Sequence, residues 1–202
     1  RDEYNWTPLH IAASHNSCEV TKLLIAQEAV DINVSDLDGE TPLHCAAKDG
    51  YVEILKILIE NKKINVQPRD KDGATPLHWA VINNKPEAVR ILLRTEKVDP
   101  NCRDYFDRSP ILLAAASNSP DSMRVLLEIG STKIDLNLPD KRSTTPLIAA
   151  AESKSLDCVK LIVEASKKSG FKVDFNKRNV EGVTALDIAA FADSLVSFLL
   201  ID

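Results

Sequence analysis

Thr7-Pro8-Leu9-His10, Thr41-Pro42-Leu43-His44 and Thr75-Pro76-Leu77-His78 repeat one tetrapeptide at an interval of 34 residues. Self-similarity at a fixed interval is the signature of a chain built from stacked copies of one small unit. The series continues in altered form as Ser109-Pro110-Ile111-Leu112, Thr145-Pro146-Leu147-Ile148 and Thr184-Ala185-Leu186-Asp187, at steps of 34, 36 and 39, so the chain holds six units. Behind the anchors come small-residue pairs such as Ala12-Ala13, Ala46-Ala47 and Ala189-Ala190, then apolar stretches such as Ile54-Leu55-Lys56-Ile57-Leu58-Ile59. Ahead of five anchors lie extended segments: Asp31-Ile32-Asn33, Ile64-Asn65-Val66, Asp99-Pro100-Asn101, Asp135-Leu136-Asn137 and Asp174-Phe175-Asn176.

Each part has a physical reading. Thr or Ser before Pro predicts a helix start, because the hydroxyl caps the first turn and the N–H that proline lacks would have no helical partner there. The alanines let this short helix lie close to its neighbours, and Leu and Ile at helical spacing give the second helix a buried face. One helical hairpin cannot bury that face alone; stacked hairpins can, with stability close to a sum over units and nearest-neighbour interfaces. Asp36-Leu37-Asp38-Gly39 and Asp70-Lys71-Asp72-Gly73 are turn sequences and predict the tips of projecting hairpins.

From Asp2 to about Leu200 the sequence resembles the ankyrin-repeat family, on the strength of the three unbroken Thr-Pro-Leu-His anchors. The resemblance implies an all-α ankyrin-repeat solenoid: L-shaped units of two antiparallel helices and a projecting β-hairpin loop, with tips and first helices forming a concave surface that binds proteins, and no shared active site. The repeats fall at about 2–34, 35–68, 69–102, 103–138, 139–177 and 178–202, read as a single domain. Departures from the family pattern predict local differences. Asp107 and Ser143 stand where Gly is usual, predicting fourth and fifth tips of another shape. Extra residues at 165–172 lengthen the fifth second helix or its loop, and the stretch 191–198 is short for a full second helix.

Composition bounds the function. With 202 residues, 44% apolar and 27% charged, this is an ordinary globular sequence. It contains no run near the ~18 apolar residues of a membrane span, and no secretory signal opens it. The first residue is not Met and the first unit begins at once, which reads as a piece of a longer protein. Four scattered cysteines, at 18, 45, 102 and 158, form no Cys-x-x-Cys pair and read as free thiols of the cytoplasm, or alternatively the nucleus.

The recurrent His10, His44 and His78 read as structural, since equivalent atoms of successive repeats lie about a helix-packing distance of ~10 Å apart, too far to share a metal. The family resemblance implies that this His hydrogen-bonds near its own hairpin; His15 reads as solvent-facing. The recurrent Asp36, Asp70, Asp104 and Asp140 read as acceptors for turn N–H groups. No phosphate loop, nucleophile elbow or other catalytic signature is present, so neither enzyme activity nor a cofactor is expected. The glycosylation pattern Asn5-Trp6-Thr7 reads as coincidence.

Binding information then belongs to positions the repeat leaves free. Trp6 lies at the first tip, Trp79 at the variable place of the third first helix, and Tyr105-Phe106 at the fourth tip. Such aromatics either pack on neighbouring tips or wait for a partner, whose contact recovers about 25 cal/mol per Å². Net charge is −5, yet it divides: Asp2, Glu3, Asp36, Asp38 and Glu40 in the first two tips, but Arg69, Lys71, Arg103, Arg108, Lys141, Arg142, Lys177 and Arg178 in the later ones. The expected partner-binding residues are Trp6, Lys71, Trp79, Arg103, Tyr105, Phe106, Arg108 and Arg142, and the expected partner is a protein with an acidic segment, bound by a monomer that dimerises at most weakly through its ends. Nucleic acid is disfavoured by the acidic total and the absence of a basic-aromatic stacking motif. Two function classes fit: a stand-alone adaptor or scaffold, and a regulatory or targeting arm of a larger enzyme, channel or host-directed effector.

Overall fold

The computed structural model describes residues 1–95, 97–129, 134–168 and 171–191. They form helical pairs: α1 (Pro8–Ser14) with α2 (Cys18–Ile25), α3 (Pro42–Asp49) with α4 (Val52–Ile59), α5 (Pro76–Ile82) with α6 (Pro86–Arg94), α7 (Pro110–Ala116) with α8 (Pro120–Ile129), and α9 (Pro146–Glu152) with α10 (Leu156–Ser166), followed by α11 (Ala185–Phe191). Each first helix begins one residue after the Thr or Ser of its anchor, as the capping argument requires. Among the described residues no strand is formed.

The chain divides into two compact units, 1–99 and 100–202. In the first, α1, α3 and α5 pack in sequence and α2, α4 and α6 do the same behind them; in the second, α7, α9 and α11 pack in sequence with α8 and α10 behind. Leu43, Ile54, Leu55, Leu58 and Leu92 are fully buried in the first unit, and Ile111, Met123, Leu126 and Leu147 in the second. The alanines sit where first helices touch: Ala46, Ala47, Ala114 and Ala150 have no exposed surface. Their small volume sets the close spacing of those helices, so a larger side chain there would overpack the interface.

The anchors cap their helices in two ways. In the first three, the backbone N–H of Thr7, Thr41 and Thr75 donates to Nδ1 of His10, His44 and His78 at 3.2, 3.0 and 3.0 Å, a capping box with His in the role of Glu. Where Leu112 and Ile148 replace that His, the Ser109 and Thr145 hydroxyls accept from the helix N–H groups instead. Thr184 and Asp187 bond reciprocally at 2.9 and 3.1 Å. Because Nδ1 accepts, Nε2 carries the proton and donates to the carbonyl of Glu40 from His10, at 3.0 Å, and of Ala74 from His44, at 3.1 Å. The Nδ1 bond lies beside the histidine's own hairpin, as expected, and the Nε2 bond adds a carbonyl of the following repeat, so the ring joins two successive repeats. His15 is exposed, with Nδ1 3.0 Å from the Ile11 carbonyl.

Asn33 donates to the Lys63 carbonyl and accepts from Asn65 N–H, both at 2.8 Å; Gln67 does the same with Lys97 and Asp99, and Asn137 with Lys172 and Asp174. A side-chain amide can donate and accept at once, so one residue per repeat satisfies two backbone groups of the next.

α10 has 11 residues against eight in α2 and α4, nine in α6 and ten described in α8, in the sense expected of a longer helix or loop; residues 169–170 of that insertion lie outside the described residues. So do residues 192–198 of the shortened sixth repeat.

Candidate interaction surface

Six fingers project ahead of the first helices, at 2–6, 36–40, 70–74, 104–108, 140–144 and 179–183, and one hydrogen-bond pattern builds them all. The leading Asp or Asn donates its N–H to the carbonyl four residues on and accepts at its own carbonyl from the residue three on, as in Asp36 with Glu40 (2.9 Å) and Gly39 (3.2 Å). Its side-chain Oδ1 accepts from the N–H groups two and four residues on, as in Asp70 with Asp72 and Ala74 at 2.9 and 2.8 Å. Asp2, Asp36, Asp104, Asp140 and Asn179 repeat this.

The fourth residue of every finger is left-handed: Asn5 (φ 65°), Gly39 (79°), Gly73 (78°), Asp107 (64°), Ser143 (59°) and Gly182 (77°). Asp107 and Ser143 therefore do not reshape their tips, contrary to the sequence expectation, because the bonds to the leading Asp hold the turn even where glycine is absent. Neighbouring fingers are tied by Leu37 N–H to Tyr4 O (3.1 Å), Lys71 to Asp38 (2.8 Å), Lys141 to Phe106 (3.1 Å) and Val180 to Arg142 (2.9 Å).

This turn leaves its second and third residues free of backbone duty for their side chains. They are Glu3-Tyr4, Leu37-Asp38, Lys71-Asp72, Tyr105-Phe106, Lys141-Arg142 and Val180-Glu181, all exposed or nearly so. Tyr105 is 56% and Phe106 49% exposed; Arg108 lies 4.8 Å from the Phe106 ring centre and bonds the buried Asp104 at 2.6 Å. Arg103 reaches the Pro139 carbonyl and lies 3.9 Å from Asp107. Arg142 pairs with Glu181 at 2.9 Å, and Lys71 with Asp38 at 2.7 Å.

Three of the expected residues thus lie in the fourth finger, Tyr105, Phe106 and Arg108, with Arg103 immediately before it and Arg142 in the next. Trp6, Lys71 and Trp79 belong to the first unit. The two tryptophans are half-buried. The Trp6 indole N–H donates to Asp36 at 2.9 Å while its ring stacks on His10; the Trp79 indole donates to Asp70 at 2.9 Å with Lys48 4.5 Å above its ring. Sequence reasoning passed over Tyr4 (62% exposed), Leu37 (69%) and Val180 (63%). Their position in the finger, the same as that of Tyr105 or Phe106, is the signal that would have found them.

The family model of ankyrin repeats, a unit of three copies, matches residues 9–104, 65–140, 83–174 and 111–202. Together these spans cover nearly the whole chain. The chain belongs to the ankyrin-repeat family. A comparison with curated proteins gives no match. Ankyrin repeats are in general protein-interaction modules. Among the described residues no helix is long and apolar enough to cross a membrane, and no group of three or more His, Cys, Asp or Glu is placed to hold a metal ion. The buried thiols of Cys45, pushed up to about 12 by desolvation, and of Cys158, raised by the same cause, are poor nucleophiles at neutral pH.

Proposed function

We propose that this ankyrin domain acts by holding another protein against its fingers and first helices, and that the fourth finger is the anchor on the second unit. The observation that carries this is the exposure of Tyr105 and Phe106 side by side on a turn whose geometry requires neither. An aromatic pair on a rigid hairpin loses little conformational entropy on binding and offers a large apolar area. Beside it stand Arg103 and Arg108, Lys141 and Arg142 follow on the fifth finger and Lys177 and Arg178 at the sixth, a recurrence that favours a partner segment of acidic character. The ion pair of Arg142 with Glu181 is exposed, and pairs of that kind contribute only ~0–1 kcal/mol, so a partner carboxylate can replace it. Lys71 on the first unit exchanges Asp38 in the same way.

The domain works as a monomer in a reducing compartment of the cell, supplies proximity rather than chemistry, and needs no cofactor. A stand-alone adaptor and a targeting arm of a larger enzyme, channel or effector use the same surface, and the length of the full gene separates them. Affinity capture with the wild-type chain and a Tyr105→Ala/Phe106→Ala variant tests the reading: a partner lost in the variant is the expected result, and a partner retained equally would move the site elsewhere.

A further inference from the structure

We propose that the first two fingers form a second docking groove of opposite chemistry, which takes a protein segment presenting an apolar side chain beside lysine or arginine. Nothing in this rests on the fourth finger, since the groove lies wholly in the first unit.

Three observations converge there. Tyr4 and Leu37 are 62% and 69% exposed and stand on adjacent fingers joined by the Leu37 N–H to Tyr4 carbonyl bond. The turn does not require apolar residues at these places, because the equivalent positions of the third finger are Lys71 and Asp72. Beneath them the Trp6 ring forms an apolar floor whose single polar atom is already satisfied by Asp36. Together these side chains line an open cavity of about 670 Å³.

The polar groups around it carry the opposite sign from those of the fourth finger. Asp2, Asp36, Asp38 and Glu40 line the cavity and Lys48 is its one cation. Lys48 is held 3.3 Å from Glu40 and above the Trp79 ring, and Asp38 is engaged only by the exposed Lys71. The groove therefore holds an excess of negative charge over an apolar floor. An acidic segment would meet like charge at short range, whereas a lysine or arginine next to an apolar anchor matches both features. An open groove between two rigid loops fits an extended segment better than a small molecule, whose sites enclose most of its surface.

The test uses the full chain and an array of short synthetic peptides with one central Leu, Ile, Phe or Trp flanked by Lys and Arg. Matched sets carry Glu in the flanks or Ser at the centre. Members of the first set should bind at least about tenfold more tightly than either matched set, with an affinity that falls as salt rises. Tyr4→Ser/Leu37→Ser should weaken that binding about tenfold or more, while Tyr105→Ala/Phe106→Ala leaves it unchanged. In NMR spectra the Leu37 amide and the Trp6 indole should shift on titration. Both substituted residues are exposed, so an unchanged melting curve shows that the variant is folded. No binding by any basic-apolar member, equal binding by the Glu-flanked set, or loss that follows the fourth-finger variant instead would overturn the proposal.

Discussion

His44 is fully buried with Nδ1 accepting the Thr41 N–H and Nε2 donating to the Ala74 carbonyl, an arrangement open only to the neutral ring. Desolvation lowers its pKa from 6.5 to about 4, and that of His10 in the same direction. Above pH 6.5 the ring is neutral in folded and unfolded chains alike and its bonds contribute in full. Between 6.5 and 4 the unfolded chain takes up the proton first, so stability falls with pH at a rate approaching about 1.4 kcal/mol per unit for such a group. The urea-midpoint advantage of the wild type over His44→Gln should therefore shrink from pH 7 to pH 5; an advantage independent of pH would contradict the neutral-ring staple. A second residue-level test concerns Asn137, whose amide satisfies two backbone groups of the next repeat. Asn137→Ala should lower stability by roughly 1–2 kcal/mol in chemical denaturation through the loss of those two bonds. The sequence shows the recurrence of these histidines and of the Asp-x-Asn segments, but not that each side chain bridges to the following unit, because the bonded partner lies about thirty residues away.

At the scale of the element, the first helices were legible because capping and proline chemistry are local: α1, α3, α5, α7 and α9 begin where Thr-Pro or Ser-Pro predicts, and α11 follows Thr184. The fingers were legible as turns but not in their uniformity. Reading glycine at the fourth position as decisive predicted deviant tips at Asp107 and Ser143. The leading Asp supplies the missing constraint through bonds that no single-residue propensity contains. Glycine is needed more strictly at Gly39, where an added Cβ would meet the Lys71 backbone N at 2.9 Å; at Gly182 it would meet nothing within 4 Å. Gly182→Ala should thus cost only the left-handed backbone penalty, ~1–2 kcal/mol. Gly39→Ala should cost distinctly more in a thermal melt and loosen the joint between the second and third fingers. Equal penalties would mean that the close approach does not restrain the chain.

For the whole molecule, the stacking of helical pairs was legible in one sequence, since a repeat shows which positions pack and which are free. What escaped was the use of charge. Arg108, Arg103 and Arg142 recur as a basic row, yet they are bonded within their own fingers or to the next, which sequence spacing does not reveal. Reversing Arg103 or Arg108 would therefore disturb the finger as well as the field. Lys141→Glu/Lys177→Glu changes two exposed charges and is the cleaner probe: association with the second unit's partner should slow and lose part of its salt dependence, while off-rates change little. Unchanged on-rates would remove the acidic partner from the account. The backs of the second helices differ in kind, carrying the short-range pairs Glu53–Lys56, Asp121–Arg124 and Asp157–Lys160 toward solvent.

The most direct test of the central claim, that this chain works through its fingers, is photo-crosslinking in cells. A photoreactive phenylalanine analogue would be placed at Tyr105 in one variant and at Lys160, on the exposed back of α10, in another. Crosslinks from 105 to a discrete protein, absent from 160, are the predicted result. Crosslinks from 160 with none from 105 would contradict it and place recognition on the opposite side of the repeat.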